Sequence, residues 1–139
     1  MAVNKKHDEF HSIDTGPDGW TVRDGFPEGW RLPDGYPPDA LAAEKILSGS
    51  LDEKNKRGSR TRLLRMEPGF MTTKPFVHEY WEEVYLLSGD LTVGNDENGN
   101  GGENFKGPTY AVRPPGAYHG PFKTEGGALL LEIHYYDPV

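Results

Sequence analysis

From residue 59 onward the chain is cut into short β-forming runs by turns of Pro and Gly, and this leaves few choices of fold. SRTRLLRM (59–66) leads into EPGF, TKPFVHEY (73–80) into EEVYLLSG (82–89), and PTYAVRP (108–114) into PPGAYHGP. DLTVG (90–94) either prolongs the run before it or begins another, and GGALLLEIHYYD (126–137) ends on strong β-formers. NDENGNGGEN (95–104) is too polar and Gly-rich to pack and reads as an exposed hairpin loop. Short strands between such turns predict an all-β sandwich or barrel. No strand–helix alternation suggests a doubly wound sheet. With 18 Gly and 12 Pro, turn chemistry fills over a fifth of the 139 residues, a length that accommodates one core.

The first forty residues have a different texture. PDGW (17–20), PEGW (27–30) and PDGY (33–36) each place an aromatic ring behind a Pro–acid–Gly turn. The expectation is an extended arm pinned by Trp20, Trp30 and Tyr36, with packing as the first use of the rings and a pocket wall as the second. Residues 39–48 read either as a short helix capped by Asp39 or as a strand, because periodicity does not settle ten residues. The chain thus divides into an N-terminal arm with loops, 1–58, and a β core, 59–139, within one domain.

A net charge of −7 argues against a nucleic-acid partner, since phosphate binding needs clustered Lys and Arg. The basic stretch KNKRGSRTR (54–62) reads as a solvated loop entering a strand. With no cysteine, disulfides, thiolate catalysis and zinc–thiolate sites are excluded. MAVNKKHDEF lacks the apolar core of a signal peptide, and no run is apolar enough for a membrane span. The expectation is a cytoplasmic protein with a small-molecule partner and no membrane.

The chemistry concentrates in FVHEYWEEVYLLSG (76–89). If the chain turns at Tyr80 and Trp81, His78 and Glu82 point to one face of adjacent antiparallel strands. His119, after a Pro-Pro-Gly-Ala-Tyr turn, can be presented over that face. Two imidazoles and one carboxylate on one side of an ion suit iron(II) and tolerate manganese, nickel or zinc.

These stretches resemble the two cupin motifs. PGFMTTKPFVHEYWEEVYLLSG is similar to the first, G-x5-H-x-H-x3-4-E-x6-G: six residues separate Glu82 from Gly89, and His78 falls on the second histidine position. GPTYAVRPPGAYHGPFK is similar to the second, G-x5-P-x-G-x2-H-x3-N: Pro114, Gly116 and His119 match, with one extra residue after Gly107. Phe76 stands at the first histidine position and Lys123 at the closing asparagine. The resemblance covers roughly residues 59–136. It implies a small jelly-roll barrel with a divalent transition metal, iron(II) first, held inside by His78, Glu82 and His119. It also implies a homodimer and kinship with small metal-dependent dioxygenases of the acetylacetone-cleaving type.

Alternation in the last run puts Leu130, Glu132, His134 and Tyr136 on one face. If that face looks inward, His134 is a fourth ligand or a catalytic general base; if outward, it is a surface residue. His7 and His11 are expected to be structureless. Arg62, Arg65 and Arg113 are expected to face solvent, because an inward arginine requires an anion. Tyr85, Tyr110, Tyr118 and Phe122 are expected to be core first, with lining the pocket as the alternative. The leading functional expectation is a metal-dependent enzyme acting on a small enolisable carbonyl or phenolic compound, with dioxygenase-type C–C cleavage foremost. The alternatives are a non-oxidative metal-assisted isomerase, cyclase or lyase, and a non-catalytic small-molecule-binding protein.

Overall fold

The structure, a computed structural model, describes residues 5–137. Apart from a 3-10 turn at Val22–Asp24, its regular elements are all strands: β1 Trp30–Arg31, β2 Ala42–Asp52, β3 Arg57–Met66, β4 Trp81–Val93, β5 Glu103–Lys106, β6 Thr109–Arg113, β7 Phe122–Lys123 and β8 Ala128–Tyr135. They form one antiparallel sheet in the order β1-β2-β3-β8-β4-β5, with β6 and β7 also paired to β4. No helix among the described residues is long and apolar enough to cross a membrane.

The segment that reads as helix or strand is strand β2, hydrogen-bonded along its length to β3. The sheet therefore begins upstream of residue 59, and a division at 58/59 cuts through the β2–β3 hairpin. Both faces of β2 are covered at its start, which blurs the alternation that would have identified it. Ala42 meets the inner core of Leu64, Met66, Phe70, Val84, Leu86, Leu91, Phe122 and Leu130. Ala43 meets an outer cluster of Trp20, Trp30 and Leu63, with Leu129 and Leu131 packed alongside. The arm covers the outer face of β2, β3 and β8. Each of these large side chains contributes about 1.5–3 kcal/mol on burial.

Strand β4 carries the site and organises the sheet. Its first half lies between β6 and β8, and its second half pairs with β5 and β7. Glu82, Val84 and Leu86 face inward, yet Leu91 is also in the inner core and Val93 packs against it. An unbroken period of two cannot put residues 86 and 91 on one side. The register slips between Leu86 and Ser88, so Leu87 is an extra residue that resets the phase. Just beyond it, Gly89 has φ 85° and sits so close to the Gly127 carbonyl that any Cβ would collide with it. The motif glycine is needed for this approach of β4 to the start of β8.

The chain bends at Glu79 and Tyr80, one residue ahead of the expected turn, and β4 begins at Trp81. Residues 75–80 form no regular strand, and contact the 114–121 loop by an isolated bridge between Phe76 and His119.

Candidate metal and substrate site

The inward rows of β6, β4, β8 and β3 create a chain of polar side chains across four strands. Glu82 is opposite Arg113 on one side and His134 on the other, and His134 is opposite Arg60. Register alone thus sets these groups side by side. Arg113 Nη1 donates to Glu82 Oε1 at 2.7 Å, and Arg60 Nη2 donates to His134 Nδ1 at 2.8 Å. With Nδ1 accepting, the His134 proton is on Nε2, which donates to Glu82 Oε2 at 2.7 Å. One row deeper, Arg62 bridges Glu132 (2.6 Å) and Glu44 (2.6 Å), and Glu44 also accepts from Arg31 at 2.8 Å. Glu44, Glu82, Glu132 and His134 are all buried.

His78 and His119 reach the row from the two loops. The Phe76 N–H donates to the His119 carbonyl and the His119 N–H to the Phe76 carbonyl, and the Gly116 N–H donates to the His78 carbonyl. These bonds hold the rings 4.8 Å apart, centroid to centroid. His119 Nδ1–H donates to the Ala117 carbonyl, which leaves Nε2 as a lone pair 3.6 Å from Glu82 Oε1. His78 stacks flat on Tyr80, with Nε2 3.9 Å from Glu82 Oε2. Burial pushes the His78 pKa down to about 4 against the opposing pull of Glu82, and lowers that of His119 as well. Both imidazoles are therefore neutral at pH 7. Burial and the neighbouring Glu132 push the Glu82 carboxyl up, but the His134 hydrogen bond and Arg113 outweigh them and hold it below the usual range. Glu132 is likewise held low: burial opposes ionisation, and Arg62 and His134 overcome it.

The donors of His78, Glu82 and His119 lie within 4.8 Å of one another, and no hydrogen bond joins them. Two neutral imidazoles with free lone pairs beside an ionised carboxylate fit a divalent cation. A second group, Glu82, Glu132 and His134, is equally close but fits one poorly. There Glu132 is bound to Arg62, and His134 has hydrogen bonds at both ring nitrogens.

The expected ligand residues are thus brought together, while other expectations change. His134 faces inward and is fully buried, but Arg60 occupies its acceptor nitrogen, so it has no free lone pair for a base. It orients Glu82 and is a positioning residue. Arg62 and Arg113 are turned inward, each with a carboxylate that offsets burial. Arg65 faces out and lies over the Trp20 ring, 4.1 Å from its centroid. The basic stretch is a loop entering a strand as expected, the loop being residues 53–56 and β3 beginning at Arg57. Tyr85, Tyr110 and Tyr118 are exposed, and only Phe122 is core. His7 and His11 are exposed.

The site opens into a cavity of about 310 Å³. The wall next to His119 is aromatic. Phe76, where a ligand histidine would stand, stacks 6.2 Å from Tyr36, 6.1 Å from His119 and 6.2 Å from Phe122. Trp20 and Trp30 anchor the arm outside, whereas Tyr36 enters the cavity. Its hydroxyl has no hydrogen-bond partner among the described residues, and burial pushes its pKa well above the ordinary phenol value, with Glu132 adding to the effect.

No protein-family model matches the sequence, and comparison with curated proteins found no match. Solved structures do resemble it. An acetylacetone dioxygenase from Acinetobacter johnsonii aligns at 21% identity and TM-score 0.53, covering 99% of this chain and 81% of that one. KdgF from Halomonas sp. aligns at 17% and 0.55, covering 86% and 95%. The polyketide cyclase RemF from Streptomyces resistomycificus aligns at 21% and 0.51, covering 69% and 66%. An RmlC-like cupin from Shewanella frigidimarina aligns at 16% and 0.51, covering 69% and 77%. The antiparallel sheet, the two motif loops meeting at its mouth and these likenesses together identify the fold as that of a cupin.

Proposed function

We propose that this chain is a metal-dependent enzyme acting on a small enolisable carbonyl or phenolic compound, with dioxygenase-type carbon–carbon cleavage as the reaction. One observation carries the reading: ligand atoms of His78, Glu82 and His119 lie within 4.8 Å of one another at the wall of a cavity large enough for a small organic molecule. A divalent ion there, iron(II) for an oxygenase, would supply Lewis acidity toward a substrate oxygen and a partner for dioxygen. The acetylacetone dioxygenase and the polyketide cyclase share this fold, so the scaffold accommodates both oxidative and non-oxidative chemistry.

The chain's own residues do the rest. Arg113 and His134 fix the carboxylate of Glu82 by one hydrogen bond to each oxygen, which leaves one lone pair on each for a ligand role. Such outer partners set orientation and basicity of a ligand. Phe76, Phe122 and Phe70 present hydrocarbon that excludes water from the reacting face. Tyr36 stays protonated at neutral pH and offers its hydroxyl proton to a substrate oxygen as negative charge develops there.

Elemental analysis of protein purified without added metal, combined with oxygen uptake on β-diketones, hydroxyketones and phenols, tests the proposal. His119→Ala is expected to lose most of the bound metal and the turnover while keeping its β-rich circular dichroism. Unchanged metal content in that variant would remove the ligand assignment. Metal retention without oxygen uptake, but with anaerobic turnover, would favour an isomerase, cyclase or lyase.

A further inference from the structure

The arginines in and around the cavity do not all have a carboxylate. Arg31 and Arg62 serve Glu44, Arg62 also serves Glu132, and Arg113 serves Glu82. Arg60 forms no ion pair among the described residues; its one polar partner is Nδ1 of His134, a neutral acceptor. Both Nε, at 3.2 Å, and Nη2, at 2.8 Å, point at that nitrogen, so the other edge of the guanidinium is left without a partner. Arg60 is half-buried and lines the cavity. A guanidinium there gains most from a planar anion bound through two parallel hydrogen bonds.

The neighbours define what such an anion would be attached to. Phe76 stacks on His119, whose Nε2 is 3.6 Å from Glu82; Glu82 is hydrogen-bonded to His134, and His134 to Arg60. Aromatic wall, donor triad and free arginine therefore follow one another across the cavity, with one imidazole between Glu82 and Arg60. We propose that the cavity takes a small conjugated carboxylate, its flat body on Phe76 and its carboxylate on Arg60. This rests on the reading of the cavity as a substrate site and narrows the substrate class to acids. Arg60 would be the specificity determinant, distinct from the groups that hold a metal. Glu53 lines the same cavity and makes no ion pair among the described residues, so it is a competing anion to be tested.

The test is equilibrium binding to the full chain kept metal-free in chelator, with cinnamate and phenylpyruvate as probes, each against its methyl ester. Charge-assisted hydrogen bonds predict that each acid binds about tenfold or more tightly than its ester. Arg60→Gln, whose amide still donates to His134 Nδ1, should erase that preference and leave ester binding unchanged; Arg60→Lys should restore part of it. Equal binding of acid and ester, binding of neither, or a preference that survives Arg60→Gln would overturn the proposal. So would a preference that appears only in Glu53→Gln, because Glu53 would then be the resting partner of Arg60. If Arg60→Gln does not fold, the wild-type comparison of acid with ester decides alone. Because metal is absent throughout, failure here leaves the His119→Ala result standing, and failure of the metal reading leaves this preference standing.

Discussion

The two ends of the barrel interior are built on the same strands and solve opposite problems. At one end the inward positions are Arg60 and Arg62 on β3, Glu132 and His134 on β8, and Glu82 on β4. Two residues further, the same strands present Leu64 and Met66, Ala128 and Leu130, and Val84 and Leu86. The apolar rows stabilise the fold directly, by removing hydrocarbon from water. The ionic rows do not, because desolvating charges costs about as much as their pairing returns. A row of paired ions inside a barrel is thus a mark of use, and in this fold it adjoins the candidate donor triad. Stability and chemistry thus draw on different rows of the same strands, and the two meet at the cavity, which Leu64, Val84 and Leu130 also line.

The contrast breaks most sharply at Arg62. Arg62→Ala leaves Glu132 buried without its cation and weakens Glu44, and should cost about 3–5 kcal/mol, read as a lowered urea midpoint. At the other end, Leu130→Ala should cost about 2–5 kcal/mol through lost burial and a cavity. That variant should leave metal content near wild type, whereas Arg62→Ala should lower it. Comparable disturbance from Leu130→Ala would show that the two ends are not separable.

The smallest effect is on acid stability. The folded-state pKa of His78 is depressed to about 4 from an ordinary value of 6.5. Between those values the unfolded chain binds the proton that the folded one refuses, so stability falls as pH drops from 6.5 towards 4 and this contribution levels off below. Glu82 and Glu132, held low when folded, add a further loss as pH falls through the ordinary carboxylate range. His78→Gln should flatten the melting temperature between pH 6.5 and 4, with little change at pH 7. An unaltered slope would mean that His78 is not buried in the way described.

The donor triad is legible in the sequence because it depends on local pattern. Glu82 stands at a fixed distance from Gly89, and the close contact of Gly89 with β8 shows the physical origin of that spacing. His119 follows a turn whose backbone bridges to Phe76, so motif and geometry coincide. The arginines are not legible. An inward arginine and a solvent-facing one look the same on a strand until the register with Glu82 or Glu132 is known, and register is a tertiary fact. Strand β2 reads equally as helix or strand for a related reason: Ala42 and Ala43 are both buried, one under each face, so its sequence does not alternate. His134 sits between the two cases. Its face could be narrowed by alternation with Leu130, but its tautomer is set by Arg60, far away in sequence.

Strand β4 is hydrogen-bonded to four others, and this has a kinetic side. None of Arg113, Glu82 and His134 can meet its neighbour until long loops have closed, so the active arrangement has no local precursor. Non-local topologies of this sort reach the native state in milliseconds to seconds rather than microseconds. A freshly made chain would pass through that interval with its arginines and glutamates still hydrated, acquiring ligand affinity only at the last, cooperative step.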